Sequence, residues 1–247
     1  MDLSKIKGII FDLDEVLANT ERWHWQAWVE TLKPFGINFS KEDYFNYAGK
    51  REDIIGRELT DYYKINLFEG ELARRKKALM HEWVRTRKIE FLPYAKEAVE
   101  FFYKIAQSGR IKMAICAGST RTDTLLKLEK LGLFPYFPVV CTGDEVKNGK
   151  PAPDIYLLSC EKLGLKPEEC LAFEDSEYGA RSAKDAGMAC FAIPSEFSVK
   201  QDFSMVDKIF HDLGGVIEFC KRIILIVGFC SPTIFWRVFN RIMLIKS

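Results

Sequence analysis

The chain has 247 residues, of which 48% are hydrophobic and 29% are charged. This composition is close to the average of globular proteins, which excludes both an intrinsically disordered chain and a polytopic membrane protein. Its 36 basic and 35 acidic residues give a net charge of +1, and no basic stripe occurs before the last quarter of the chain. Nucleic acid is therefore not expected as a partner. The length allows one large core with a smaller insertion.

Five short apolar runs predict buried β-strands. Helical-period segments separate these runs, which lie at residues 6–11, 113–116, 139–141, 171–173 and 190–193. Strands that alternate with helices are typical of a parallel sheet with helices on both faces. We therefore predict an α/β fold whose core is a doubly wound, Rossmann-like parallel sheet.

The connection after the first strand is too long for a simple crossover. Residues 19–91 lie between that strand and a core helix predicted over residues 94–107. Breaks at Pro, Gly and Asn separate four helix-like segments within it, at residues 22–32, 41–47, 52–63 and 69–88. We predict a small helical cap domain, residues 19–91, inserted into a core domain formed by residues 1–18 and 92–219.

Residues 220–247 form an unusually apolar C-terminal tail. Its unbroken apolar stretch is shorter than the roughly 20 residues that span a bilayer, and Pro232 interrupts it. Basic residues flank it, among them Lys221, Arg222 and Arg237. Three interpretations stay open: a helix at a membrane surface, packing on the core or on a second copy of the chain, and a non-native extension.

Cysteine usage and the N-terminus indicate a reducing compartment. The seven cysteines are an odd number, contain no C-x-x-C pair and lie mostly in or beside apolar runs. They are best interpreted as buried thiols. The first seven residues lack the apolar segment of a secretory signal, so we expect a cytoplasmic protein.

Two carboxylates follow the first strand, at Asp12 and Asp14. Residues i and i+2 of an extended segment face the same side, so the two side chains are expected to lie together. One carboxylate can attack phosphorus and form an aspartyl phosphate, while its neighbour transfers a proton to or from the second oxygen. The alternative is a turn in which aspartates accept hydrogen bonds from backbone amides.

A second acidic pair, Glu174 and Asp175, follows a later strand and is expected at the same carboxyl edge of the sheet. Open α/β sheets bind ligands at that edge. Four carboxylates gathered there would repel one another without a cation, and an all-oxygen ligand set suits Mg²⁺ better than zinc. Alternatively, Glu174 and Asp175 cap the next helix.

Two further segments are candidates for phosphate binding. Lys150 lies in a loop whose Gly149 and Pro151 restrict the backbone, and its ammonium group could hold a phosphate. Gly118 and Ser119 form a small-residue turn after a strand, where backbone amides could bind a phosphate. The alternatives are an ordinary surface lysine and a simple turn.

The ordered set of motifs resembles the haloacid dehalogenase superfamily. The resemblance covers roughly residues 5 to 219 and rests on Asp12-Leu13-Asp14, a helical insertion, a small-residue strand end, Lys150-Pro151 and Glu174-Asp175-Ser176 with Gly179. Within that superfamily the chain is similar to the β-phosphoglucomutase-like phosphatases and phosphohexomutases. Thr20, His24, Ala27, Trp28, the segment at residues 49–53 and the segment at residues 149–154 carry this closer likeness.

The resemblance implies roles for individual residues. Asp12 would be the nucleophile and Asp14 the general acid/base. Mg²⁺ would be held by Asp12, the Asp14 carbonyl, Glu174 and Asp175, while Lys150 would contact the phosphoryl group.

The resemblance also extends to the cap and to the segment before it. Arg51 and Lys76 match cap positions near the distal groups of the substrate, and Thr20 and His24 match positions that support the acid/base residue. Two alternatives remain: Arg51 pairs with Asp53, and His24 is a core histidine.

Three departures from the family pattern are expected to matter. Glu15 replaces a glycine and adds bulk and a fifth carboxylate beside the phosphate site, unless its side chain points to solvent. Ala117 replaces a serine or threonine, and the missing hydrogen bond would slow the enzyme about ten- to a hundredfold, although Ser119 could substitute for it. The loop at residues 49–51 is about one residue shorter than in mutases, with Ala48 where they commonly carry lysine.

These observations predict a Mg²⁺-dependent phosphatase that hydrolyses a small phosphorylated metabolite, a sugar or polyol phosphate, through an aspartyl phosphate. A mutase must hold the distal phosphate of a bisphosphorylated intermediate, and fewer cap cations favour hydrolysis. Phosphohexomutase activity is the first alternative. The second is a catalytically weakened protein of the same fold that binds phosphate and has a regulatory role.

Overall fold

The computed structural model describes residues 5–226 and contains one parallel sheet of six strands. In spatial order the strands are β3-β2-β1-β4-β5-β6, so the chain builds outward on both sides of β1. The strands are β1 (Gly8–Phe11), β2 (Lys112–Ala117), β3 (Val139–Thr142), β4 (Cys170–Glu174), β5 (Ala189–Ala192) and β6 (Lys208–Ile209). The predicted α/β fold with a doubly wound sheet is confirmed.

Five of the six strands coincide with the predicted apolar runs, and β6 was not predicted. The central strands are buried on both faces, which is why they read as continuous apolar runs in the sequence. The two-residue β6 pairs only with β5 and is too short to produce such a run.

Nine α-helices accompany the sheet within residues 5–226. They are α1 (Glu21–Leu32), α2 (Lys41–Tyr44), α3 (Glu52–Tyr62), α4 (Glu71–Thr86), α5 (Ala95–Gln107), α6 (Arg121–Lys130), α7 (Asp154–Leu163), α8 (Glu177–Asp185) and α9 (Leu213–Ile226). Phe11 lies in the apolar layer that α5 and α9 complete, whereas Ile10 faces the layer formed with α7 and α8. Helices therefore cover both faces, as a parallel sheet requires.

Helices α1 to α4, which we call the cap helices, occupy the long connection between β1 and α5. They share an apolar cluster of their own, built around Trp28, Leu32, Leu59 and Leu72, to which Phe197 contributes from beyond β5. Both α1 and α3 pack on α4. The division into a core of residues 1–18 and 92–219 and a cap of residues 19–91 remains a prediction.

The C-terminal tail begins inside a helix. Helix α9 crosses the predicted boundary before residue 220 and continues to Ile226. The remainder of the predicted tail, with its proposed membrane or subunit contact, lies outside the described residues. None of the helices described here is long and apolar enough to cross a membrane.

Candidate active site

The carboxyl ends of β1 and β4 bring three acidic side chains together. The strands are in register at Phe11 and Phe173, and the Asp12 N–H donates to the Phe173 carbonyl at 3.0 Å. Asp12 therefore lies level with Glu174. Carboxylate oxygens of Asp12, Glu174 and Asp175 all lie within 4.8 Å of one another.

One ammonium group faces this acidic cluster. Lys150 Nζ lies 2.5 Å from Asp12 Oδ1 and 2.6 Å from Glu174 Oε1, and the Tyr156 hydroxyl donates to the same Glu174 oxygen. Burial raises the pKa of Asp12 to about 8, with Lys150 opposing the shift and the Glu174 charge adding to it. Burial and the charges of Asp12 and Glu174 raise the pKa of Asp175 well above its usual range. Three ionised carboxylates would outnumber the one lysine, so without a further cation two of them hold their protons more tightly than usual.

The acidic cluster fits a divalent cation. Glu174 Oε2 is buried and has no hydrogen-bond partner among the described residues, although a buried carboxylate oxygen normally has one. A Cβ atom at residue 179 would lie 2.0 Å from that oxygen and would clash with it. A glycine at this position therefore allows α8 to pack directly against the Glu174 carboxylate. All-oxygen donors suit a hard cation such as Mg²⁺ or Ca²⁺. The cluster could thus hold a metal ion.

The alternative that Glu174 and Asp175 cap the next helix does not describe this site. The N-cap of α8 is Ser176, whose hydroxyl oxygen accepts from the Gly179 N–H at 3.2 Å. The Ser198 hydroxyl donates to the backbone carbonyl of Asp175 at 2.6 Å. The Asp175 carboxylate belongs to the acidic cluster with Asp12 and Glu174.

The Asp14 carboxylate has different partners. Lys127 Nζ donates to Oδ1 at 2.6 Å and to Oδ2 at 2.7 Å, and the Thr20 hydroxyl also donates to Oδ1. Burial opposes ionisation, but the charge of Lys127 and the hydrogen bonds from Lys127 and Thr20 lower the pKa of Asp14. Thr20 thus contacts the acid/base candidate.

Sequence reasoning missed Lys127. It is 1% exposed on α6, where a lysine would ordinarily reach solvent. The one signal was its position inside the run Leu125-Leu126-Lys127-Leu128, where a charge interrupts an apolar face.

Gly118 and Ser119 lie on the wall of the same pocket, directly after β2. The Ser119 carbonyl accepts from the Gly143 N–H at 3.0 Å, and its hydroxyl lies 3.0 Å from the Thr124 hydroxyl. These contacts fix the turn. Ala117 itself is fully buried at the strand end.

Lys76, Glu52 and His24 form a compact polar group at the end of the pocket that lies under the cap helices. Lys76 is fully buried. Its ammonium group donates to Glu52 and lies 2.7 Å from His24 Nδ1. Burial opposes ionisation of Glu52, yet the charge of Lys76 and the contact with His24 hold its pKa below the usual range. An ammonium donating to Nδ1 requires the imidazole proton on Nε2, a buried atom without a partner among the described residues. His24 Nε2 is therefore a buried donor without a partner in the part of the chain that the structure describes.

Arg51 reaches the pocket rim but is already paired. Its guanidinium donates to both Asp53 carboxylate oxygens, at 3.0 and 2.8 Å, and its side chain is 40% exposed. This is the pairing left open by the sequence. Exposed ion pairs contribute only about 0–1 kcal/mol, so an incoming anion could displace Asp53.

The Glu15 side chain neither points to solvent nor lines the pocket, so the first departure needs correction. Glu15 has φ +58°, the left-handed backbone that explains a glycine in the family pattern. Its side chain is buried, and Oε1 accepts the backbone N–H groups of Thr20 and Glu21, both at 2.9 Å. Burial, only partly offset by the backbone hydrogen bonds, raises the pKa of Glu15 to about 7. Glu15 thus holds the chain entering α1.

A pocket of about 370 Å³ joins the sheet edge to the cap helices. Of the predicted site residues, only Thr20 does not line it; those on its wall are Asp12, Asp14, His24, Arg51, Lys76, Gly118, Ser119, Lys150, Glu174 and Asp175. A parallel sheet with clustered carboxylates and a lysine at its carboxyl edge, beside a pocket that the cap helices also line, is the arrangement of a phosphoryl-transfer enzyme.

Comparison with known proteins identifies the family. The model of the haloacid dehalogenase-like hydrolases matches residues 9–193. The chain is 34% identical to the protein CbbY of Rhodobacter capsulatus over 85% of this chain and 95% of the relative. It is 33% identical to a phosphorylated carbohydrates phosphatase of Thermotoga maritima over 74% of this chain and 82% of the relative.

A solved structure shares the fold. It is a mutant CbbY from Rhodobacter sphaeroides in complex with xylulose-(1,5)bisphosphate, with a TM-score of 0.68, 25% identity and coverage of 84% of this chain and 94% of the solved one. The chain belongs to the haloacid dehalogenase-like hydrolases, in the β-phosphoglucomutase-like group. The predicted family and the predicted enzyme class, a phosphoric monoester hydrolase of this type, are confirmed.

Proposed function

We propose that this protein is a Mg²⁺-dependent phosphatase that hydrolyses a small sugar or polyol monophosphate through an aspartyl phosphate on Asp12. The observation that carries the proposal is the placement of Asp12 at the end of β1, 2.5 Å from Lys150, with the carboxylates of Glu174 and Asp175 beside it. A nucleophile, a phosphate-binding cation and a metal-type ligand set thus converge at one point of the pocket.

In the first half-reaction an Asp12 carboxylate oxygen attacks phosphorus and the bond to the ester oxygen breaks. Asp14 donates a proton to the departing sugar oxygen, which leaves as an alcohol. The lowered pKa of Asp14 in the free protein favours its ionised form. The negative charge of an incoming phosphate raises the proton affinity of this carboxylate, because like charges disfavour ionisation.

In the second half-reaction Asp14 takes a proton from water, whose oxygen attacks the phosphorus of the aspartyl phosphate. The acyl phosphate bond breaks, Asp12 is regenerated and inorganic phosphate leaves. Lys150 stabilises the phosphoryl oxygens by charge, and the amides of Gly118 and Ser119 on the pocket wall are further candidate donors.

We assign the metal to Asp12, Glu174, Asp175 and the Asp14 carbonyl. When bound, Mg²⁺ would neutralise the carboxylates and polarise the phosphoryl oxygens. The unpartnered Glu174 oxygen and the all-oxygen donor set support this assignment.

The cap end supports a hydroxylated substrate. His24 lines the pocket and its Nε2 has no partner among the described residues, whereas the charge of Lys76 is balanced by Glu52 and that of Arg51 by Asp53. A sugar hydroxyl suits such a balanced site better than a second phosphate, which favours hydrolysis over phosphohexomutase activity. The names of the relatives agree, since one is a phosphatase of phosphorylated carbohydrates.

The test is a panel of sugar and polyol monophosphates assayed for phosphate release with Mg²⁺ and with EDTA. We expect release only with Mg²⁺, no release from Asp12→Asn, and a stable beryllium fluoride adduct of the unsubstituted protein only. Asp61→Asn, an exposed aspartate of α3, is the matched control and should keep full activity.

Two results would contradict the proposal. Mg²⁺-dependent release by purified Asp12→Asn would exclude Asp12 as the nucleophile. Binding of Mg²⁺ or phosphate without turnover of any panel member would favour the regulatory alternative.

A further inference from the structure

Lys127 is a buried charged residue on the wall of the pocket that the proposed mechanism does not use. It projects from α6, the helix that follows the phosphate-binding turn at Gly118 and Ser119. Its ammonium group contacts both oxygens of Asp14, at 2.6 and 2.7 Å. No other hydrogen-bond or ion-pair partner of this ammonium group is found among residues 5–226.

A buried ammonium group is unfavourable unless a partner compensates its lost hydration. A structural salt bridge would satisfy that requirement anywhere in the core. Here, however, the partner is the carboxylate that must accept and donate a proton, and it lies on the pocket wall. The pairing therefore acts on the group that performs the chemistry.

The hydrogen bonds to Asp14 are distributed unequally over its two oxygens. Oδ1 accepts from Thr20 and from Lys127, whereas Oδ2 accepts from Lys127 alone. An ionised carboxylate has about four lone-pair sites, two on each oxygen. The free site thus lies on Oδ2, and two donors hold the carboxylate plane in place.

We infer that Lys127 is a positioning residue for proton transfer, which fixes the Asp14 carboxylate so that Oδ2 exchanges the proton with the substrate oxygen. The inference rests on the proposed function and extends it to a residue on a different element. Loss of Lys127 should leave the carboxylate free to rotate, while Asp12, Lys150 and the metal ligands keep their own contacts.

The test compares two leaving groups. A sugar phosphate releases an alkoxide that needs a proton, whereas p-nitrophenyl phosphate releases a stable anion that does not. Because kcat/KM reports the steps up to departure of the leaving group, it isolates the donation of this proton. For Lys127→Met we expect kcat/KM to fall about a hundredfold with the sugar phosphate and less than fivefold with p-nitrophenyl phosphate.

Three further variants complete the experiment. Lys127→Arg keeps the charge but moves the donors, so its loss with the sugar phosphate should be about tenfold. This variant carries the test if Lys127→Met fails to fold. In an Asp14→Asn background, Lys127→Met should cause no additional loss. Lys104→Met, an exposed lysine of α5, should change neither rate.

An equal loss with both substrates, or no loss with either, would overturn the inference. So would a full additional loss in the Asp14→Asn background, because Lys127 would then act independently of Asp14. These outcomes are distinct from failure of the proposed function, in which the unsubstituted protein hydrolyses neither substrate.

Discussion

The two ends of the pocket balance their charges differently. At the sheet edge, Asp12, Glu174 and Asp175 face one lysine, and a Glu174 oxygen has no partner within the described chain. At the cap end, Lys76 meets one carboxylate, Glu52, and one imidazole, His24. The sheet edge has an excess of carboxylates without an added cation, whereas at the cap end the charges balance and only His24 Nε2 lacks a partner within the described chain. The chemistry and the recognition of the substrate can therefore be perturbed separately.

The largest effect is expected at the sheet edge, with Asp175→Asn. Removal of a direct ligand should reduce Mg²⁺-dependent kcat/KM at least a hundredfold. Without metal the same change should stabilise the protein at pH 8, on the order of 1 to 2 kcal/mol, because it removes one of three crowded carboxylates.

The sign of this change in stability follows from the raised pKa values of Asp12 and Asp175. Asp12, with a folded pKa of about 8, and Asp175 bind their protons more tightly in the folded than in the unfolded state. Their contribution to stability is complete below the unfolded pKa of about 4 and is lost as the pH rises through the folded pKa. Metal-free protein should thus lose stability between about pH 4 and 8, and Asp175→Asn should lose less.

Urea denaturation at pH 5 and pH 8, in EDTA and in Mg²⁺, measures this difference. Mg²⁺ at a hundred times its Kd should stabilise the unsubstituted protein by about 2.7 kcal/mol and the variant much less. Asp185→Asn, exposed on α8, is the control. Equal stabilisation of Asp175→Asn and the unsubstituted protein by Mg²⁺ would show that Asp175 does not hold the ion.

A smaller effect on the kinetics is expected at the cap end, with Glu52→Gln. The change leaves the Lys76 ammonium buried without its opposite charge, which typically costs about 3–5 kcal/mol of stability. A second phosphate could then serve as the missing anion. The ratio of kcat/KM for a hexose bisphosphate to that for the matching monophosphate should rise about tenfold, equivalent to 1.4 kcal/mol.

Steady-state kinetics with both substrates gives this ratio directly. Glu69→Gln, an exposed glutamate of the cap region, controls for the loss of one negative charge. An unchanged ratio in Glu52→Gln would mean that the distal part of the substrate does not reach Lys76.

The difference between the two ends also explains what the sequence could predict. Asp12 and Glu174 directly follow apolar strands, so the rule that parallel strands end at one edge was enough to bring them together. Lys127 and Asp14 are 113 residues apart and belong to a helix and a loop, so no local pattern connects them. The pairing of Lys76 with Glu52 likewise depends on the packing of α4 against α3. Contacts fixed by strand order were predictable, and contacts fixed by side-chain packing were not.

Glu15 connects the two ends, because it follows β1 and holds the first turn of α1. Its direction could not be predicted, since it depends on a left-handed backbone at a residue that is not glycine. Three substitutions of Glu15 separate the contribution of its hydrogen bonds to stability from the cost of its left-handed backbone. Glu15→Gln keeps the accepting oxygen and should change stability by less than about 0.5 kcal/mol below about pH 4.5, where Glu15 itself is protonated. Glu15→Ala loses two hydrogen bonds and should cost about 3 kcal/mol.

Glu15→Gly loses the same hydrogen bonds but relieves the backbone, so it should be about 1 kcal/mol more stable than Glu15→Ala.

The Glu15 pKa of about 7 predicts a further dependence of stability on pH. The contribution of the protonated Glu15 to stability is complete below about pH 4.5 and is lost as the pH rises through 7. Between pH 5 and pH 8 the free energy of unfolding of the unsubstituted protein should therefore fall by on the order of 2 kcal/mol relative to that of Glu15→Gln. Denaturation at both pH values, in saturating Mg²⁺, measures this difference. If Glu15→Gly proves more stable than the unsubstituted protein, the two backbone hydrogen bonds contribute less than the strain, and Glu15 does not stabilise the entry to the cap helices.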